Sequence, residues 1–82
     1  MKRFYFHVRT TEGLEADYDG IAFAGIEAAQ ADAKASLFEM MADDLSAGRQ
    51  TKYLGINITD SLGTILAVVD ATAAIERLPK GS

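Results

Sequence analysis

Apolar and polar residues alternate near both ends of the chain and switch to a helical spacing in the middle. Phe4, Phe6 and Val8 alternate with Tyr5, His7 and Arg9. Period two with aromatic and β-branched enrichment predicts a strand whose Phe/Phe/Val face lies on a core. Thr10 to Gly13 supply turn chemistry. A second strand is expected at residues 14–16 or 20–24, with Asp19-Gly20 as a turn between those two segments.

Residues 26–47 contain neither Pro nor Gly, and Gly48 follows them. At 100° per residue, Ile26, Ala29, Ala33, Leu37, Met40 and Met41 fall within about 120° of arc, which predicts a helix facing a core. Phe38 and Leu45 lie on the flank of that stripe, beside a ridge of Ala28, Ala31, Ala35 and Ala42. Alanine is the strongest helix former, so the ridge needs no further reason. Phe38 does need one, and a second element or a second copy of the chain is expected to cover it. Glu27 suits the helix start, where Gly25 is a candidate cap, and Gly48 suits a left-handed position after its end. Asp43 and Asp44 sit where the dipole disfavours them, so Arg49 or Lys52 is expected to pair with them.

Alternation resumes after Lys52. Leu54, Ile56 and Ile58 share one face, and Tyr53, Gly55, Asn57 and Thr59 share the other. Asp60-Ser61-Leu62-Gly63 reads as a hairpin turn. Residues 64–70 return as a partner strand that is apolar on both faces. Asp70 or Thr72 can cap a short helix over 73–78, carrying Ile75 and Leu78 and ended by Pro79, before a frayed tail. The predicted fold is α+β and two-layered. An antiparallel sheet of three to four strands packs on one long helix, in the order β-β-α-β-β with a short C-terminal helix. The expected core is Phe4, Phe6, Val8, Ile26, Ala33, Leu37, Met41, Leu54, Ile56 and Ile58.

The 82 residues make a single domain over 1–82, 49% hydrophobic, enough for a packed core. A chain of this size buries only about 60% of its unfolded surface, and with no Cys it has neither disulfides nor a thiolate zinc site for support. An oligomer interface is one remedy. The formal charge of −4 repels phosphate backbones and anionic membrane surfaces, so nucleic acid and membrane are disfavoured as partners. No apolar run approaches the ~20 residues that span a bilayer. The N-terminus lacks the apolar core of a signal peptide, so a cytoplasmic setting is expected.

Candidate chemistry is sparse. His7 is the single histidine and shares a strand face with Tyr5 and Arg9, which makes that face the place for a small ligand binder or enzyme. A nucleophile would have to be a serine, and none lies in a nucleophile-elbow pattern. Asp17-Tyr18-Asp19-Gly20 resembles the start of a calcium loop, but Ala22 and Ala28 occupy the places of its required Gly and Glu. Tyr5 and Tyr53 could stack bases on an open sheet face, were the charge balance not acidic. No glycine-rich phosphate loop occurs. Neither a catalytic residue, a metal ligand set nor a cofactor is assigned.

Arg3-Phe4-Tyr5-Phe6-His7-Val8-Arg9 resembles the opening strand of a family of small bacterial domains of unknown function. The acidic turn at residues 17–20, the "E-A-A" helix start at Glu27-Ala28-Ala29, and the segment from Ile56 through Asp60 and Gly63 to Leu66 follow in that family's order. Ser61 stands where an acidic residue is common there, and the Pro-Phe pair that often ends the last strand is absent at Val69-Asp70. The resemblance implies a fold and no activity. A more distant similarity to antitoxin-type domains suggests a regulatory partner of a basic protein. The leading expectation is a non-enzymatic, self-associating interaction module, a homodimer. Its candidate contact surface is Phe38, Leu45, Tyr5, His7 and Arg9.

Overall fold

The structure is a computed structural model and describes residues 1–72. Its elements are β1 (Lys2–Thr10), β2 (Gly13–Glu15), β3 (Ile21–Phe23), α1 (Ile26–Ser46), β4 (Tyr53–Thr59) and β5 (Ile65–Asp70). The α+β class and the long central helix are as predicted, but the sheet has five strands. Both segments offered as alternatives for the second strand pair with β1. Phe4 faces Ile21 and Lys2 faces Phe23 at one end of β1, while Val8 faces Glu15 and Thr10 faces Gly13 at the other. β2 and β3 therefore lie end to end along one side of β1. On the other side come β4 and then β5, all antiparallel.

α1 packs across one face of the sheet. Ala29, Ala33, Leu37 and Met41, spaced four apart, are buried against Phe4, Ile56, Ile58 and Val69. Burying each of the larger aliphatic side chains contributes about 1.5–3 kcal/mol. Phe23, not among the expected core residues, stacks on Phe6 with ring centroids 5.8 Å apart and planes 14° apart. The helix ends in a Schellman arrangement. Gly48 has φ +76°, its N–H donates to the Leu45 carbonyl, and the Arg49 N–H donates to that of Asp44. The expected partner of the acidic pair is Arg49, whose Nη2 lies 3.0 Å from Asp44 Oδ1.

Two expectations about the core need correction. Leu54 is exposed, not in the core. Arg9 faces Gly55 but Thr10 faces Tyr53, so Leu54 is the extra residue of a bulge. Alternation restarts across it, and Tyr53 turns onto the helix side to pack against the core while Leu54 swings out. Phe38 is half-buried and packs against the core, while the short helix expected to cover it falls beyond residue 72. Phe6, Val8 and Ile26 are half-buried at the core's margin. The predicted helix at 73–78 and the tail at 79–82 lie outside the described residues.

Candidate functional site

The sheet face away from α1 carries Tyr5, His7 and Arg9 on β1, as the alternation predicts, with Gly55, Asn57 and Thr59 beside them on β4. Between β2 and β3 the chain leaves the edge of β1, and Asp17 fills the gap. Its Oδ2 accepts the Phe6 N–H at 3.1 Å, in place of a ladder carbonyl. Its Oδ1 accepts the N–H groups of Asp19 and Gly20, closing the turn. Burial opposes the charge on this carboxyl. The three N–H donors outweigh that, with a smaller electrostatic contribution from the neighbouring His7, and the Asp17 pKa falls below its ordinary value. Gly20 permits the approach. Its φ is +72°, and a Cβ there would lie 2.8 Å from Arg3 Cγ and 2.9 Å from Tyr5 Cε2.

His7 is held from both sides. The Asp17 N–H donates to its Nδ1 at 3.1 Å, and its Nε2 lies 3.0 Å from Thr59 Oγ1. A backbone amide can only donate, so Nδ1 carries the lone pair and the ring proton sits on Nε2, donated to Thr59. Thr59, His7 and Asp17 thus adjoin in the order of a nucleophile, base and acid, but with the opposite proton arrangement. The nitrogen facing the hydroxyl has no lone pair to receive its proton, and the nitrogen facing Asp17 meets an amide instead of the carboxylate. Thr59 is also buried.

Arg9 does not join His7. Its guanidinium lies across Gly55 and reaches Asp70 Oδ1 at 2.7 Å. Gly55 is buried, and a Cβ there would meet Arg9 Nη2 and would lie 2.6 Å from the Val69 carbonyl oxygen. The three predicted face residues therefore divide. Tyr5 and His7 border an open cavity of about 280 Å³ together with Asp17, Tyr18, Thr59 and Asp60, and Arg9 serves the neighbouring β4–β5 pair. Leu45 is exposed near the helix C-terminus, far along the chain from that face. Among the described residues no group of three or more His, Cys, Asp and Glu could hold a metal. None of their helices is long and apolar enough to cross a membrane.

Three exposed apolar side chains lie together on β5. Among the described residues this strand forms the outer edge of the sheet and pairs with β4 alone. Ile65 (57%), Leu66 (46%) and Val68 (49%) are exposed, and only Val69 is buried. Its one charged residue, Asp70, is neutralised by Arg9. A groove of about 450 Å³ runs beside it, lined by Gln30, Ala31, Lys34, Val68 and Val69. The residues 64–70 already read as apolar on both faces, but nothing in that pattern says the strand is an edge. Sheet order supplies this.

Residues 3–72 match the model of a family described as Domain of unknown function (DUF6894), and the chain belongs to that family. No curated protein and no solved structure matches it.

Proposed function

We propose that this member of the DUF6894 family is a non-enzymatic interaction module that associates with itself, in the cytoplasmic setting expected from its sequence. The carrying observation is β5, an edge strand with three exposed apolar side chains and its one charge paired within the same chain. Edge strands of isolated domains are ordinarily guarded by Lys, Pro or inward charges. β5 has no Lys or Pro. A second copy is the occupant that needs no foreign chemistry, since the strand's neutral apolar side suits its own duplicate. The non-enzymatic part is supported by the hydrogen bonding of His7, whose Nδ1 accepts the Asp17 N–H and whose Nε2 meets the buried Thr59, a structural use of the ring. Sedimentation equilibrium on the full chain tests the reading. The expected species is a dimer at micromolar concentration that dissociates in Val68→Lys; a wild-type mass of 8.8 kDa up to about 100 μM would overturn it.

A second reading concerns the cavity on the open face. Among the described residues Asp17, Asp60, Tyr5 and Tyr18 border it and no Lys or Arg does. That lining favours a cationic group from a basic partner protein. Titration with an arginine-rich peptide should shift the NMR signals of Tyr5 and Thr59, and unshifted signals at millimolar peptide would dismiss it.

A further inference from the structure

We infer that two copies join through an antiparallel β5–β5 ladder whose two-fold axis passes at Val68, extending the sheet from five strands to ten. This deepens the self-association reading and rests on it. The backbone itself supplies the direction. The Val69 carbonyl oxygen lies 2.6 Å from where a Gly55 Cβ would stand, so it is aimed at β4. In an antiparallel ladder, successive residues turn their N–H and C=O to opposite sides. The N–H and C=O of Val68 therefore point to the free edge.

The register follows from where β5 is regular. Ile58 faces Ala67 but Thr59 faces Ile65, so Leu66 is the extra residue of a second bulge. At the other end the chain turns helical at Ala71. A two-fold axis at Ala67 would run the ladder through the bulge, and an axis at Val69 would draw Ala71 into it. An axis at Val68 keeps the central pairs in regular strand, with Val68 opposite its own copy and Ala67 opposite the other copy's Val69. A two-fold axis normal to the sheet keeps each residue on its own face. The two Val68 side chains, each 49% exposed in the single chain, then cover one another on the open face. Asp70, held by Arg9, brings no free charge to the seam. On the helix side an open groove lined by Gln30, Ala31 and Lys34 runs beside Val68 and Val69.

The chain has no cysteine, so single-cysteine variants report directly on this register. Directly opposed residues stand about 5.5 Å apart at Cα in a hydrogen-bonded antiparallel pair, within disulfide reach. Val68→Cys should cross-link under oxidised glutathione at least tenfold faster than Leu66→Cys or Leu45→Cys. In the wild-type protein, exchange of the Val68 amide proton should slow at least tenfold as concentration rises through the dimerisation range. A wild-type dimer whose Val68 amide exchanges at the monomer's rate would overturn the register and leave self-association standing. A dimer in which Leu66→Cys cross-links fastest would do the same. A chain that stays monomeric removes both.

Discussion

On one side of the sheet, β1 is closed by two strands of three residues each and by the Asp17 carboxylate between them. On the other, β5 offers six consecutive residues with, among the described residues, only β4 as a neighbouring strand. The first edge is broken into short pieces, flanked by Glu15, Asp17 and Asp19, and its one gap is filled by a side chain. The second is apolar and paired in charge. The pattern of short edge strands and charged residues is the usual protection against strand addition. Its presence on one side and absence on the other makes the asymmetry a feature of the domain. It also separates two kinds of stability, since the β1 edge is completed within the chain and the β5 edge is the one the proposed self-association would complete.

The strongest way to break this comparison is at Gly55, where Arg9 and the Val69 carbonyl leave no room for a Cβ. Gly55→Ala should displace Arg9 from Asp70 and loosen β5, lowering stability by about 1–3 kcal/mol in chemical denaturation. Asp17→Ala addresses the closed edge. Loss of the acceptor for three N–H groups should cost about 1–2 kcal/mol, reduced by the partial exposure of the site. Because the folded pKa of Asp17 is depressed, its stabilisation is fully present above the ordinary carboxyl value of 3.8 and is lost as pH falls through the lower folded value. The stability gap between wild type and Asp17→Ala should therefore be constant near neutrality and close on acidification below about pH 4, as read by denaturation at a series of pH values. Smaller still, Val68→Lys should change the stability of the single chain by no more than about 0.5 kcal/mol, measured at a concentration where wild type is monomeric. Leu54→Thr should be as mild, because the bulge holds that side chain in solvent.

The elements that follow one period were legible in the sequence. The stripe Ala29-Ala33-Leu37-Met41 and the Phe4 and Ile56/Ile58 positions could be read from spacing alone, because burial on one face imposes that spacing. Leu54 could not. A bulge is set by the pairing partner, and the unbroken alternation from Tyr53 to Thr59 carries no mark of it. His7 and Arg9 share a face as expected, yet their roles diverge according to cross-strand neighbours more than 45 residues away, Thr59 and Asp70. From the sequence Asp17 is one residue of an acidic turn. Its role as an acceptor for the β1 backbone depends on β2 and β3 both pairing with the same strand.

The bulge at Leu54 also bears on how the chain can change in length. Removing one residue from a strand ordinarily turns every later side chain onto the wrong face. Here Tyr53 already faces Thr10, and Gly55 already faces Arg9. Deleting Leu54 would join two residues that stand in consecutive register, and Ile56 and Ile58 would keep their places. Position 54 is thus a point in β4 where relatives could gain or lose a residue without rebuilding the core.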